Sequence, residues 1–197
     1  MPVTVEYYFS VSSPWAYLGA PRLRAMAARH GARIDPVPIA LIAENGGVSI
    51  RTRPEARRAY WFHDLARCAA HLGMPVLLEG RPPLQDAGKA SPMLVAAQRL
   101  GLDATALGFA LQRGYWAQGR DISDPAIRAA IAGEEGFDAA ALLAAEAEPE
   151  TERQWQANLD RAQAAGVFGV PSYCLDGDLF WGQDRLDYLE RRLRGAA

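Results

Sequence analysis

The chain has 197 residues, half of them hydrophobic, which is enough to bury the core of one domain with or without an insertion. Its 21 basic and 23 acidic residues leave a formal charge of −2, which favours neither a nucleic acid nor a membrane as partner. We see no signal peptide and no apolar stretch near the ~20 residues of a membrane span, so we expect a cytoplasmic protein in which Cys68 and Cys174 stay reduced.

The first elements predict a β-α-β unit. Val3–Phe9 is rich in β-branched and aromatic residues, as strands are. Apolar residues recur near helical spacing over Pro14–His30, and Gly31 follows as a typical helix stop. Arg33–Ile39 is short and contains prolines, which predicts a strand near a sheet edge or a turn, paired parallel to the first.

The central part of the chain has the composition of a helical block. It is rich in Ala, Leu, Arg and Glu and has few β-branched runs, and Pro, Asp, Ser or Thr stands at several segment starts. The predicted helices are Pro54–Leu72, Ser91–Leu100, Thr105–Gln118, Pro125–Gly133, Asp138–Glu146 and Glu150–Ala165.

The last part predicts a β-hairpin followed by a helix. Asp176-Gly177-Asp178 separates the apolar runs Ser172–Leu175 and Leu179–Trp181, and Asp-Gly there is a strong hairpin signal. Gln183–Leu193 has the pattern of an amphipathic helix. The order βαβ, helices, ββα predicts an α/β, thioredoxin-like fold with a large all-helical insertion. We expect residues 1–53 and 166–197 to form the thioredoxin-like domain and residues 54–165 the insertion.

Ser13-Pro14-Trp15-Ala16 stands where thioredoxin-like redox enzymes carry Cys-Pro-x-Cys. With Pro14 at the first helical position, Ser13 is predicted to be the N-cap of the helix. Its hydroxyl either serves only as a cap or, together with the positive helix end, stabilises the thiolate of an external thiol. Since positions 13 and 16 carry no thiol, we do not expect a dithiol oxidoreductase.

Two further stretches suggest a site for a peptide-like ligand. The thioredoxin-like layout has a cis X-Pro bond at the position of GVFGVPSY, beside the start of the first helix. We therefore predict a cis Val170–Pro171 bond that leaves the Val170 backbone free to pair with a ligand. The alternative is that Pro171 only starts an edge strand. In FWGQDRL, Gln183 and Asp184 open a helix, where a carboxylate can bind the helix start and an ammonium can pair with Asp184. The alternative there is an ordinary cap.

Three stretches together resemble the 2-hydroxychromene-2-carboxylate isomerase family, which is similar to kappa-class glutathione transferases and, in fold, to DsbA. They are YYFSVSSPWAYLGAPRL, RRAYWFHDLARCAAHLGMP and AGVFGVPSYCLDGDLFWGQDRLDYL. They cover both ends of the chain and the first inserted helix, whereas residues 81–152 match mainly in being helical.

This resemblance implies a glutathione-dependent isomerase that converts 2-hydroxychromene-2-carboxylate to trans-o-hydroxybenzylidenepyruvate in aromatic catabolism, such as naphthalene degradation. It implies that Ser13 hydrogen-bonds the glutathione sulfur and that the backbone at Val170 and Pro171 holds the cysteinyl portion. Gln183 and Asp184 would hold the γ-glutamyl end. The resemblance also implies a homodimer.

One departure concerns the loop before the first inserted helix. The family carries an Asn in a Gly-Asn dipeptide there, and a Lys three residues before a Tyr. Here Arg57 precedes Tyr60 by three residues, and Val48 stands at the Asn position, with Asn45 as a substitute if the loop differs in length.

Contacts to the aromatic acid substrate are predicted from residue type. Trp15 and Tyr17 flank the predicted site and could form its apolar wall, although such aromatics are more often core residues. Arg57 belongs to a basic cluster that is either a solvated face or the partner of a substrate carboxylate. The histidines have no metal-ligand spacing, so we expect no metal. Two alternatives remain: a kappa-like glutathione transferase for another aromatic electrophile, and a non-catalytic thioredoxin-like binding protein.

Overall fold

A computed structural model describes residues 3–196, with the side chains at positions 86 and 196 left aside. Its sheet has four strands in the order β2-β1-β3-β4. Strand β1 pairs parallel with β2 and antiparallel with β3, which pairs antiparallel with β4. The predicted parallel pair, the hairpin and the edge position of β2 are therefore confirmed. The strands are β1 (Thr4–Phe9), β2 (Arg33–Pro38), β3 (Ser172–Leu175) and β4 (Asp178–Trp181).

The predicted helices are confirmed to within two residues at most ends. Two features were not predicted: a one-turn helix followed by a 3₁₀ turn at Gly88–Ala90, and another 3₁₀ turn at Ile50–Thr52. The final helix also begins later than predicted, because Gln183–Arg185 forms a 3₁₀ turn. The helices are α1 (Pro14–His30), α2 (Glu55–Leu72), α3 (Leu84–Ala87), α4 (Ser91–Arg99), α5 (Ala104–Trp116), α6 (Pro125–Glu134), α7 (Ala139–Glu146), α8 (Pro149–Ala164) and α9 (Leu186–Ala196).

Both faces of the sheet are covered. Side chains alternate along the buried strand β1, so this strand contributes to a core on each face. Tyr7 and Phe9 point into the larger core with residues of α1, α5 and α9, while Tyr8 packs on the opposite face with Val37 and Ala162. The larger core also includes residues of the inserted helices, such as Leu94 and those of α5. The expected division into residues 1–53, 54–165 and 166–197 stays a prediction. In the part of the chain that the structure describes, no helix is long and apolar enough to span a bilayer.

A cluster of charges joins the C-terminal end of α1 to α9. The Glu190 carboxylate lies 3.0 Å from His30 Nε2 and 3.0 Å from Arg29 Nη2. Hydrogen bonds from His30 and then Arg29 lower the pKa of Glu190 to about 2. This pKa is lower in the folded state than the ~4.3 of an ordinary glutamate. The cluster therefore stabilises the fold at pH values above ~4.3, and this stabilisation is lost as the pH falls below that.

We therefore expect Glu190→Gln to reduce the loss of unfolding free energy as pH falls from ~4.3 towards 2, the window in which the carboxylate is protonated in the unfolded chain but still ionised in the folded protein. Urea unfolding measured across this range tests the prediction. Glu79→Gln is the control, since Glu79 is exposed and forms no ion pair with another described residue. Parallel curves for wild type and Glu190→Gln would show that the carboxylate does not contribute in this way.

Candidate active site

Ser13 caps the start of α1, as predicted. Its hydroxyl accepts a hydrogen bond from the Ala16 amide at 3.2 Å and donates one to the Val170 carbonyl at 3.3 Å. Ser13 is 7% exposed, and the first turn of α1 contains no acidic residue. The positive end of the helix dipole is therefore not offset there by an acidic side chain, and a hydroxyl that can donate lies beside it. This environment favours a negatively charged ligand atom.

The loop before β3 faces this hydroxyl. The Val170–Pro171 bond is cis, as predicted. Among the described residues none accepts a hydrogen bond from the Val170 amide, whereas the Pro171 carbonyl accepts one from the Gly182 amide at 2.9 Å. The Trp181 ring packs against the loop at Gly169, where an added Cβ would collide with the indole nitrogen. The loop is thus fixed against β4, and the Val170 amide stays available to a ligand.

Gln183 and Asp184 lie just beyond β4, in the 3₁₀ turn. Gln183 is 7% exposed, and Arg22 of α1 donates to its carbonyl at 3.3 Å and to its Oε1 at 3.2 Å. Asp184 is exposed and pairs with Arg185 at 2.7 Å. A turn of three residues takes the place of the helix start predicted here. Ligand contacts at this point would therefore come from the side chains and from individual backbone groups.

These residues border an open cleft of about 530 Å³ between α1, α2 and the 3₁₀ turn, which we call the polar cleft. It contains both arginines and aspartates, so it can hold a ligand end that carries an ammonium and a carboxylate. Burial, followed by Asp64 and Asp184, raises the pKa of the Cys68 thiol in this cleft, so Cys68 is a poor nucleophile there. The polar cleft is lined by Arg22, Arg67, Cys68, His71, Leu72, Gln183, Asp184 and Asp187.

A second open cavity, of about 440 Å³, lies along the first half of α2, and we call it the arginine–aromatic cavity. It adjoins the Ser13 region through Trp15, whose ring meets Trp61 edge-on with centroids 6.0 Å apart. Sequence reasoning noted the basic cluster but missed Trp61 and Arg81 as part of a site. The cavity is lined by Ile50, Arg51, Glu55, Arg58, Ala59, Trp61, Phe62, Arg81 and Leu84.

The other predicted contacts lie apart from these cavities. Tyr17 is 1% exposed, stacks on Phe109 and donates to the Pro75 carbonyl at 3.2 Å, so it is a core residue and not a cavity wall. Arg57 is exposed on α2 and lines neither cavity, unlike its neighbour Arg58.

The two residues considered for the position of the family Asn, Asn45 and Val48, also line neither cavity. Asn45 uses its side-chain amide to hold the Gln163 and Val167 carbonyls at 2.9 and 3.0 Å, and Val48 is 51% exposed. Asn45 is therefore a structural link between this loop and the end of α8. Among the side chains that the structure describes, which leave out those at positions 86 and 196, no three His, Cys, Asp or Glu residues are grouped so that they could hold a metal ion.

Known proteins resemble the chain over nearly its whole length. The family model described as a DSBA-like thioredoxin domain matches residues 4–194. A 2-hydroxychromene-2-carboxylate isomerase of Sphingobium xenophagum is 32% identical over 98% of this chain and 99% of its own length. The enzyme of the same name from Pseudomonas putida is 27% identical over 94% and 92%. A solved structure of such an isomerase superposes with a TM-score of 0.82 at 24% identity, covering 98% of this chain and 95% of that one.

Proposed function

We infer that this chain, which belongs to the 2-hydroxychromene-2-carboxylate isomerase family and carries its DSBA-like thioredoxin domain, is a glutathione-dependent cis–trans isomerase. The reaction proposed is the conversion of 2-hydroxychromene-2-carboxylate to trans-o-hydroxybenzylidenepyruvate. The observation that carries the proposal is the position of the Ser13 hydroxyl. It lies at the start of α1, 3.3 Å from the Val170 carbonyl, where related redox proteins have a thiol.

The residues present fit glutathione in three places. The helix start and the Ser13 hydroxyl suit an anionic sulfur, because they supply a positive dipole end and a donor. The Val170 amide, which has no partner among the described residues, suits the main chain of a cysteinyl residue. The polar cleft suits a γ-glutamyl end, with its ammonium on Asp184 and its carboxylate near Arg22 and Gln183.

Bound glutathione would supply a nucleophilic thiolate for reversible addition to the double bond of the ring-opened substrate, a covalent chemistry that permits rotation about that bond. For its part, Ser13 keeps the thiol deprotonated by donating to the sulfur, which requires its hydroxyl to turn away from the Val170 carbonyl. Meanwhile the Ala16 amide can still donate to the Ser13 oxygen, and this bond holds the oxygen in place. The proposed isomerisation involves no net oxidation or reduction of the substrate.

We expect isomerase activity to disappear when thiols are removed by dialysis and to return with glutathione at catalytic concentration, while exhaustive chelation leaves it unchanged. The assay follows the absorbance of substrate and product, and the thiol-to-product ratio gives the stoichiometry. One glutathione consumed for each product would instead indicate the kappa-like transferase. Glutathione binding without turnover would indicate a binding protein. Loss of activity with chelator, restored by a divalent metal, would contradict the proposal.

A further inference from the structure

We propose that the arginine–aromatic cavity binds the planar aromatic acid, and that the acid's carboxylate replaces the Glu55 carboxylate on Arg58. This inference rests on the proposed function for its choice of ligand. It assigns the carboxylate contact to Arg58, whereas the sequence pattern pointed to Arg57. It also gives Glu55 a role, as an internal counter-ion that keeps the arginine in place until the ligand arrives.

The walls of the cavity suit an aromatic ring. Trp61 meets Phe62 edge-on with ring centroids 5.0 Å apart and meets Trp15 edge-on at 6.0 Å. Ile50 and Leu84 add aliphatic surface. A flat apolar ligand can therefore lie among rings and aliphatic groups, as in most small-molecule sites. Trp15 belongs to the first turn of α1, so its ring contact with Trp61 links this wall of the cavity to the helix start that Ser13 caps.

The charges of the cavity suit an anion. Three arginines and one glutamate line it, which leaves a formal excess of two positive charges. An aromatic acid would offset part of this excess, whereas a neutral aromatic ligand would leave it unchanged. The cavity therefore discriminates by charge as well as by shape.

The three arginines differ in how firmly they are held. Arg81 donates to the Leu77 and Leu78 carbonyls at 2.6 and 3.2 Å, and its guanidinium lies 4.2 Å from the centroid of the Trp116 ring. It is a fixed part of the wall. Arg51 donates to the neutral side chain of Gln85 and keeps its charge uncompensated by that contact.

Arg58 is the arginine whose partner can be exchanged most easily. It pairs with Glu55, one turn earlier on α2, and the two side chains are 44% and 78% exposed. An exposed pair at this spacing is weak, because water screens it and two long side chains must be ordered. A ligand carboxylate whose ring also packs on Trp61 has an additional source of affinity that Glu55 lacks. It can therefore replace Glu55 on the same guanidinium fork.

The test is calorimetric binding without glutathione, so that it does not depend on turnover. Two ligands are compared: trans-benzylidenepyruvate, an aromatic α-keto acid, and benzylideneacetone, which has a methyl group in place of the carboxylate. For the acid, we expect Arg58→Gln to raise Kd about tenfold, as loss of a charged hydrogen-bond donor does. We expect Glu55→Gln to lower Kd about twofold to threefold, as loss of a weak competing pair would.

Specificity is judged with two controls. The affinity for benzylideneacetone should be the same in all variants, and Arg57→Gln should change the Kd of the acid by less than about twofold, because an exposed charge is screened. An unchanged Kd in Arg58→Gln, or a loss found in Arg57→Gln instead, would overturn the assignment. So would a weaker affinity of Arg58→Gln for glutathione with the acid unaffected, since the cavity would then hold the glycyl carboxylate. If glutathione-dependent turnover fails but the acid binds as expected, the proposed function fails and the cavity assignment stands.

Discussion

Replacing Ser13 with alanine is expected to leave the fold intact and to reduce the isomerase rate at neutral pH about tenfold or more. The fold should persist because loss of an N-cap costs only ~1 kcal/mol, a small part of the stability of a domain of this size. The rate should fall because a hydrogen bond to a charged sulfur contributes about 1.5–3 kcal/mol. Since 1.36 kcal/mol corresponds to one pKa unit, the pKa of the bound thiol should rise by about 1 to 2.

The pH dependence distinguishes this effect from a general loss of structure. A higher thiol pKa reduces the thiolate fraction at neutral pH but not at alkaline pH, so the Ser13→Ala variant should recover part of its rate as pH rises. Part of the depression of the pKa should remain, because the start of α1 is still present. Ultraviolet titration of the bound thiolate measures the pKa directly, and the pH–rate profile measures the recovery.

Ser12→Ala is the matched control for this substitution. The Ser12 hydroxyl lies 3.0 Å from the Ser10 hydroxyl, whereas the hydrogen bond to the Val170 carbonyl comes from Ser13. Its loss should leave the thiol pKa and the rate nearly unchanged. A variant pair in which only Ser12→Ala loses activity would place the catalytic hydroxyl one residue earlier. Full activity of Ser13→Ala at every pH would mean that the Ser13 hydroxyl serves only as a helix cap.

The parts of this site that the sequence predicted are those encoded by short local patterns. Ser13 before Pro14 is a cap signal, and the hairpin that follows Val170–Pro171 has an Asp-Gly turn. In such stretches the residues that determine the geometry are neighbours in the chain. For the same reason the β-α-β start and most helix bounds could be predicted.

The parts that could not be predicted depend on helix rotation and on distant segments. Successive residues on a helix point about 100° apart, so Arg57 and Arg58 look equivalent in the sequence although only Arg58 lines the cavity. Tyr17 follows Ser13 by four residues, a spacing that suggests the same face of α1, but the Tyr17 side chain packs into the core. Arg81 lies in an irregular segment before α3. Helix α3 has only four residues, which is too short to show a helical periodicity in the sequence.

Gly19 shows how closely the proposed sulfur site and the proposed γ-glutamyl site are packed together. It lies on α1 between Ser13 and Arg22, where a Cβ would be 2.9 Å from Gln183 Cβ and 2.8 Å from the Tyr173 hydroxyl. Neither neighbour can move easily. Gln183 is held by Arg22 through two hydrogen bonds, and Tyr173 is fully buried and stacked on Tyr7 with ring centroids 5.5 Å apart. The absence of a side chain at Gly19 thus sets the distance between α1 and the 3₁₀ turn.

We therefore expect Gly19→Ala to lower the free energy of unfolding by about 1–3 kcal/mol, as overpacking does, and to weaken glutathione binding about tenfold by displacing Gln183. This opposes the usual effect, since Gly→Ala inside a helix stabilises by about 0.5–1 kcal/mol. Urea unfolding and calorimetric titration with glutathione measure the two quantities.

Gly133→Ala in α6 is the matched control, because apart from its chain neighbours and the backbone of its own helix no described atom lies within 4 Å of the position its Cβ would take. It should stabilise the protein and leave glutathione binding unchanged. Opposite signs for the two substitutions would show that contact with Gln183 and Tyr173, not helix propensity, decides the outcome at Gly19. Stabilisation by both would mean that α1 and the 3₁₀ turn can separate at little cost. The geometry of the proposed γ-glutamyl site would then not depend on their close approach.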